Sequence, residues 1–137
     1  MKIIDIPRTD KTPEVILDTD KQVFQLKGNC LPENIRDFSA VVTEKFDEYL
    51  NQWSSGTTIS DKPDVFRVIF RLGYFNSAAA KFLADVLIMT NNYIQQGYAI
   101  KIYWYFDVED HDMLEAGEEI SQMVSVPMEF VAMVKGD

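Results

Sequence analysis

The stretch from Val65 to Phe106 limits the fold more than any other part of this chain. Between Val65 and Phe75 the residues alternate, placing Phe66, Val68, Phe70, Leu72 and Tyr74 on one face and Arg67, Ile69 and Arg71 on the other. A period of two describes a strand with one buried face and one partly wet face. From Ser77 to Gln96 the pattern becomes helical, and Gly97 stands where a C-cap is expected. A second alternating strand follows from Tyr98 to Phe106, with Tyr98, Ile100, Ile102, Trp104 and Phe106 on one side. A strand, a helix and a strand of these lengths make a crossover between parallel neighbours.

The flanks extend this unit. Glu14 to Asp18 and Gln22 to Lys27 read as two short strands of an antiparallel hairpin, turned at Thr19-Asp20-Lys21; no element is assigned to the residues before them. Gly28 to Asn34 reads as a loop feeding a helix, with Pro32 suited to its first turn. Ile35, Phe38, Val42, Phe46, Tyr49 and Trp53 recur at steps of three and four, so this helix runs to about Trp53. Arg36, Asp37, Glu44, Lys45, Asp47 and Glu48 occupy its other faces, and it packs by one side. Ser54 to Pro63 is a polar loop, Asp107 to Val124 an acidic loop and a third helix, and Met128 to Val134 a last strand. The order β-β-α-β-α-β-α-β predicts an α/β fold, a single mixed sheet with packed helices, in one domain spanning 1–137.

Composition narrows the function. With 47% hydrophobic residues a core forms without disulfides or metal, and the single cysteine, Cys30, has no internal partner. The N-terminal apolar run is too short for a signal peptide, and Asp85 and Lys101 interrupt the longest apolar stretches, so the expectation is a cytoplasmic protein away from membranes. Thirteen Lys and Arg against 22 Asp and Glu leave a net charge of −9 without a basic cluster. Nucleic acid and acidic lipid are repelled by such a field. A protein or a small molecule remains as partner.

Signatures of catalysis are scarce. The one histidine, His111, stands among Asp107, Glu109, Asp110, Asp112, Glu115, Glu118 and Glu119. An EF-hand loop starting at Asp107 would put Asp112 where glycine is required, and zinc wants more histidine or cysteine. The segment reads instead as a solvated helix start whose acids suit the dipole. Cys30 reads as a buried structural thiol. No glycine-rich phosphate loop is present. The expectation is a non-enzyme without cofactor or metal.

One junction differs. Tyr74-Phe75-Asn76-Ser77 ends a strand and opens a helix, followed by Ala78-Ala79-Ala80-Lys81. Either Asn76 or Ser77 suits the N-cap. A hydroxyl there also lies beside free N–H donors and the positive end of the dipole, where a phosphoryl group is tolerated, with Lys81 one turn on to help neutralise it.

The order of elements and the hydroxyl residue after the central strand resemble SpoIIAA-like (STAS-type) anti-sigma-factor antagonists. The sequence is more similar to the SiaC family of regulatory phosphoproteins, associated with biofilm regulation. The resemblance is carried by Thr12-Pro13-Glu14-Val15, Gly28-Asn29-Cys30-Leu31-Pro32-Glu33-Asn34, Tyr74-Phe75-Asn76-Ser77 with Lys81, Tyr103-Trp104-Tyr105-Phe106-Asp107 with Glu109-Asp110, Glu115-Ala116-Gly117-Glu118-Glu119 and Val126-Pro127. It implies a phosphoacceptor at Ser77, supported by Tyr74, Phe75, Asn76 and Lys81, with Glu33 and Asn34 as partner-binding candidates. It further implies a cognate kinase, a PP2C-type phosphatase and a diguanylate cyclase as output partner. Two departures stand out: Ser77 followed by alanines replaces the family's usual Thr followed by serines, and Cys30 replaces a serine. The alternative from another class is a small-ligand or nucleotide sensor using the helix N-terminus at Asn76-Ser77 as an anion cradle. The third is a scaffold in which Ser77 is only a cap.

Overall fold

A computed structural model describes residues 1–56 and 65–134. The described elements are β1 (Lys2–Ile6), β2 (Glu14–Asp18), β3 (Val23–Cys30), α1 (Ile35–Ser55), β4 (Phe66–Phe75), α2 (Ser77–Gln95), β5 (Ile100–Asp107), α3 (His111–Val124) and β6 (Glu129–Met133). The six strands form one sheet in the order β1-β2-β3-β4-β5-β6. β1, β2 and β3 pair antiparallel, and β3 through β6 pair parallel. The mixed α/β sheet matches expectation. β1 was not foreseen, and Ser54 and Ser55 belong to α1 rather than to a loop, with Gly56 as its C-cap; residues 57–63 of that expected loop lie outside the described residues.

Because the parallel strands advance in one direction, right-handed crossovers put all three helices on the same face of the sheet. Burial agrees. Val15, Leu17, Phe24, Leu26, Val68, Phe70, Ile102 and Trp104 are buried, while the intervening residues are half-buried or exposed. Aromatic rings tie α1 to the sheet. Phe46 stacks on Phe24 at 4.0 Å, and Trp53 meets Phe66 edge-on at 5.6 Å. α2 lies in the middle of the helical layer between α1 and α3. That position explains its long apolar face of Ala79, Phe82, Leu83, Val86 and Leu87. It ends at Gln95 with Gln96 as C-cap, one residue earlier than expected, and Gly97, whose φ is 99°, opens the left-handed exit after it.

The β2–β3 hairpin turns on Asp18, whose carboxylate accepts from the backbone N–H groups of Lys21 at 3.2 Å and Asp20 at 3.0 Å. The Lys21 bond chiefly holds its pKa below the usual carboxylate range.

β3 continues through Gly28-Asn29-Cys30, which the sequence suggests as a loop. Gly28 adopts φ +123°, and a Cβ there would meet the Arg8 guanidinium at 3.0 Å, so glycine is needed beneath the β1–β2 connection. Opposite it the register slips: Gly28 pairs with Leu72, but Asn29 pairs with Tyr74, leaving Gly73 as the extra residue of a bulge. The slip reverses the faces of the last residues of β4. Tyr74, expected on the core face, is 54% exposed on the other side, and Phe75 turns inward against Trp104.

Candidate functional site

All three helices begin at the carboxyl ends of the parallel strands, so their N-termini share one edge of the molecule. The β4–α2 junction sits in the middle of that edge. Phe75 anchors it from below, its ring meeting Trp104 edge-on at 5.9 Å. The Asn76 N–H donates to the carbonyl of Cys30 at 3.4 Å, binding the junction to the end of β3. Asn76 is the N-cap: its Oδ1 accepts from the Ala79 N–H at 2.9 Å. Ser77 is thereby released from capping. It is the exposed first residue of α2, and its hydroxyl has no hydrogen-bond partner among the described residues.

The surroundings differ from those of the neighbouring helix starts. α1 is capped by Asn34, whose Oδ1 accepts from the Asp37 N–H at 3.2 Å, and Asp37 adds a negative charge to the first turn. α3 is capped by Asp110 and carries Asp112. The first turn of α2 has no acid, so the partial positive charge of its N–H groups is not offset there. One turn on, exposed Lys81 pairs with Asp85 at 3.2 Å.

Ser77, Ala78, Lys81, Phe82 and Asp85 of α2 face Ile35, Arg36 and Ser39 of α1 across a groove of about 570 Å3. Arg36 was read from the sequence only as part of a polar face. Its place opposite Ser77 depends on how α1 lies beside α2, and nothing local in the chain signals it. Arg36 makes no ion pair among the described residues.

The other candidates divide. Asn34 has a structural task as the α1 cap, and its Nδ2 donates to Asp37 at 2.8 Å. Glu33 pairs with Lys11 at 3.0 Å on the surface, fastening the β1–β2 connection to the α1 entrance. Phe75 is a packing residue, and Tyr74 stands exposed on the far side of the junction. There, Gly73, Tyr74, Phe75, Asp110, Asp112, Met113 and Ala116 line a second hollow of about 390 Å3. The junction therefore has a face bearing Arg36 and Lys81 toward α1 and an acidic one toward α3. Among the described residues no group of three or more His, Cys, Asp or Glu side chains converges to hold a metal. Cys30 is fully buried, and burial pushes its thiol up to about 11, which keeps it protonated and unreactive.

Residues 6–133 match the family model described as the SiaC family regulatory phosphoprotein. The chain belongs to that family. An uncharacterised protein of Pseudomonas aeruginosa (strain UCBPP-PA14) is 24% identical over 127 residues, covering 93% of this chain and 94% of the relative. Among solved structures, apo-SiaC from Pseudomonas aeruginosa superposes with a TM-score of 0.74 at 20% identity, over 98% of this chain and 99% of that one. SiaC of the same organism, in complex with the diguanylate cyclase SiaD that it activates, gives 0.75 at 22% identity, over 95% and 99%. These likenesses establish the shared fold across nearly the whole length. No helix among the described residues is long and apolar enough to cross a membrane.

Proposed function

We propose that this chain is a partner-binding regulator, not an enzyme, and that its switch is phosphorylation of Ser77. The observation that carries the reading is the uncapped, exposed Ser77 hydroxyl on the one helix start of this edge without an acid in its first turn. A family described as regulatory phosphoproteins supports it. A cognate kinase moves the γ-phosphoryl of a nucleoside triphosphate onto Ser77. The Oγ–P bond forms as the bridging P–O bond breaks, and the hydroxyl proton passes to a base of the kinase. A PP2C-type phosphatase hydrolyses the phosphoester with water. The unphosphorylated form binds and activates a diguanylate cyclase, as the complex of the related SiaC with SiaD supports. About two added negative charges then change what this edge attracts without disturbing the core.

Peptide mass spectrometry of the protein from its native host, growing and starved, tests the acceptor. Phosphate on Ser77 with condition-dependent occupancy is expected; an unmodified chain in every state overturns the reading. Ser77→Ala and Ser77→Asp proteins should then differ in binding the host's diguanylate cyclase, and equal binding removes the switch. The groove beside Ser77 also suits a small anionic ligand as the competing reading. A melting temperature unmoved by a panel of nucleotides and cyclic di-GMP eliminates that alternative.

A further inference from the structure

We infer that a phosphate on Ser77 is drawn into the α1–α2 groove and held there by Arg36 and Lys81, with Lys81 leaving Asp85 to do so. The inference rests on the proposed switch and specifies how it reshapes the surface. Three observations carry it. Ser77, Lys81 and Arg36 line the same groove, so a group on the hydroxyl has cations on two helices to turn toward. Arg36 has no ion-pair partner among the described residues, in a chain with a net charge of −9. Lys81 has a partner, but in the weaker arrangement. Its carboxylate lies at i+4, toward the helix C-terminus, whereas pairs with the anion N-terminal to the cation are favoured. Phosphoserine at 77 and lysine at 81 have the favoured order, and the doubly charged phosphate attracts Lys81 more strongly than Asp85 does.

The other carboxylates near this entrance, Asp37 and Glu33, have partners of their own and do not line the groove. Asp37 accepts from Asn34, and Glu33 pairs with Lys11. Among the described residues Asp85 is then the single carboxylate lining the groove that competes for the same cation. With Arg36 and Lys81 on the phosphate, the space over Ile35 and Phe82 fills. Phosphorylation therefore changes the shape of this surface as well as its charge.

The test uses the full chain carrying phosphoserine at position 77, installed during translation, so that it does not depend on a host kinase. Phosphorus NMR titration reads the second ionisation of the phosphate, which lies near 6 in an unstructured peptide. Opposite charges favour the dianion, so the midpoint should fall in the folded protein. Arg36→Gln and Lys81→Gln should each raise it again by roughly half a unit, and Asp85→Asn should lower it further. These side chains are exposed, and unchanged circular dichroism melts of the unphosphorylated variants verify folding. A depressed midpoint that ignores all three substitutions assigns the effect to the helix dipole and overturns the clamp, as does a midpoint equal to the peptide's. Absence of phosphate in the native host counts against the switch instead, and leaves this titration unaffected.

Discussion

Two strand-to-helix junctions lie side by side on the same edge of the sheet and are built to opposite electrostatic ends. Both use a capping side chain that accepts from the N–H three residues on: Asn76 from Ala79, and Asp110 from Met113. At the start of α3 the cap is charged, Asp112 follows, and Asp107 and Glu109 precede. That helix is also fixed to the sheet: the Trp104 indole donates to the Met113 carbonyl at 3.0 Å, with Gly117 against its ring. At the start of α2 the cap is neutral, the first turn is serine and alanine, and Arg36 and Lys81 flank it. One junction has its negative charge built in. The other leaves a place for charge to be added, which is what a reversible modification requires.

The largest effect expected comes from disturbing the fixed junction. A Cβ at Gly117 would lie 2.5 Å from the Trp104 indole nitrogen, and the ring cannot retreat because Phe70 and Phe75 pack around it. Gly117→Ala improves helix propensity by about 1 kcal/mol. Overpacking costs typically about 1–3 kcal/mol, and losing the indole hydrogen bond adds about 1 kcal/mol. The clash wins, and urea denaturation should show a net loss of about 2 kcal/mol. A stability equal to or above the parent chain would mean that α3 rests loosely on β5, and the contrast between the junctions would lose its mechanical half.

How much of this was legible in the chain follows from how local each signal is. β4, β5 and the helices carry their periods in consecutive residues, and their existence needs no knowledge of neighbours. β1 buries only Ile4 of its five residues in a clear pattern, so its strand character comes from pairing with β2. β3 looked broken at Gly28 because glycine in a strand reads as a loop until Arg8 is seen lying over it. Tyr74 continued the alternation of β4 in sequence, but the bulge at Gly73 depends on the register against β3 and inverts the last residues. At the candidate site Ser77 and Lys81 were visible because helix spacing relates them. Arg36 was not, since only the packing of α1 beside α2 brings it there.

The electrostatic half of the contrast is open to exchanging the caps. Asn76→Ala and Asp110→Ala should each cost about 1 kcal/mol, since each removes the acceptor for an N–H of the first turn. Exchanging charge alone separates the junctions. Asn76→Asp should stabilise by about 0.3–1 kcal/mol at low salt, because α2 lacks an acid there, and Asp110→Asn should destabilise by a similar amount. Both differences should shrink as salt rises. An Asn76→Asp protein no more stable than its parent at low salt would show that Lys81 and Arg36 do not leave α2 wanting negative charge.

The smallest effect expected is informative because it is small. Lys81 and Asp85 form an exposed pair at 3.2 Å with the cation N-terminal to the anion, the less favourable order along a helix. Such pairs contribute about 0–1 kcal/mol, and this one belongs at the low end. Asp85→Asn should therefore cost less than about 0.5 kcal/mol in urea denaturation of the unphosphorylated chain. A larger loss would mean that the pair holds α2 together, and that Lys81 is not available to turn toward Ser77. A negligible one leaves Lys81 bound by little more than proximity. That is the condition under which a phosphate one turn back takes the cation away from Asp85 and makes the α2 start resemble the acidic, satisfied start of α3.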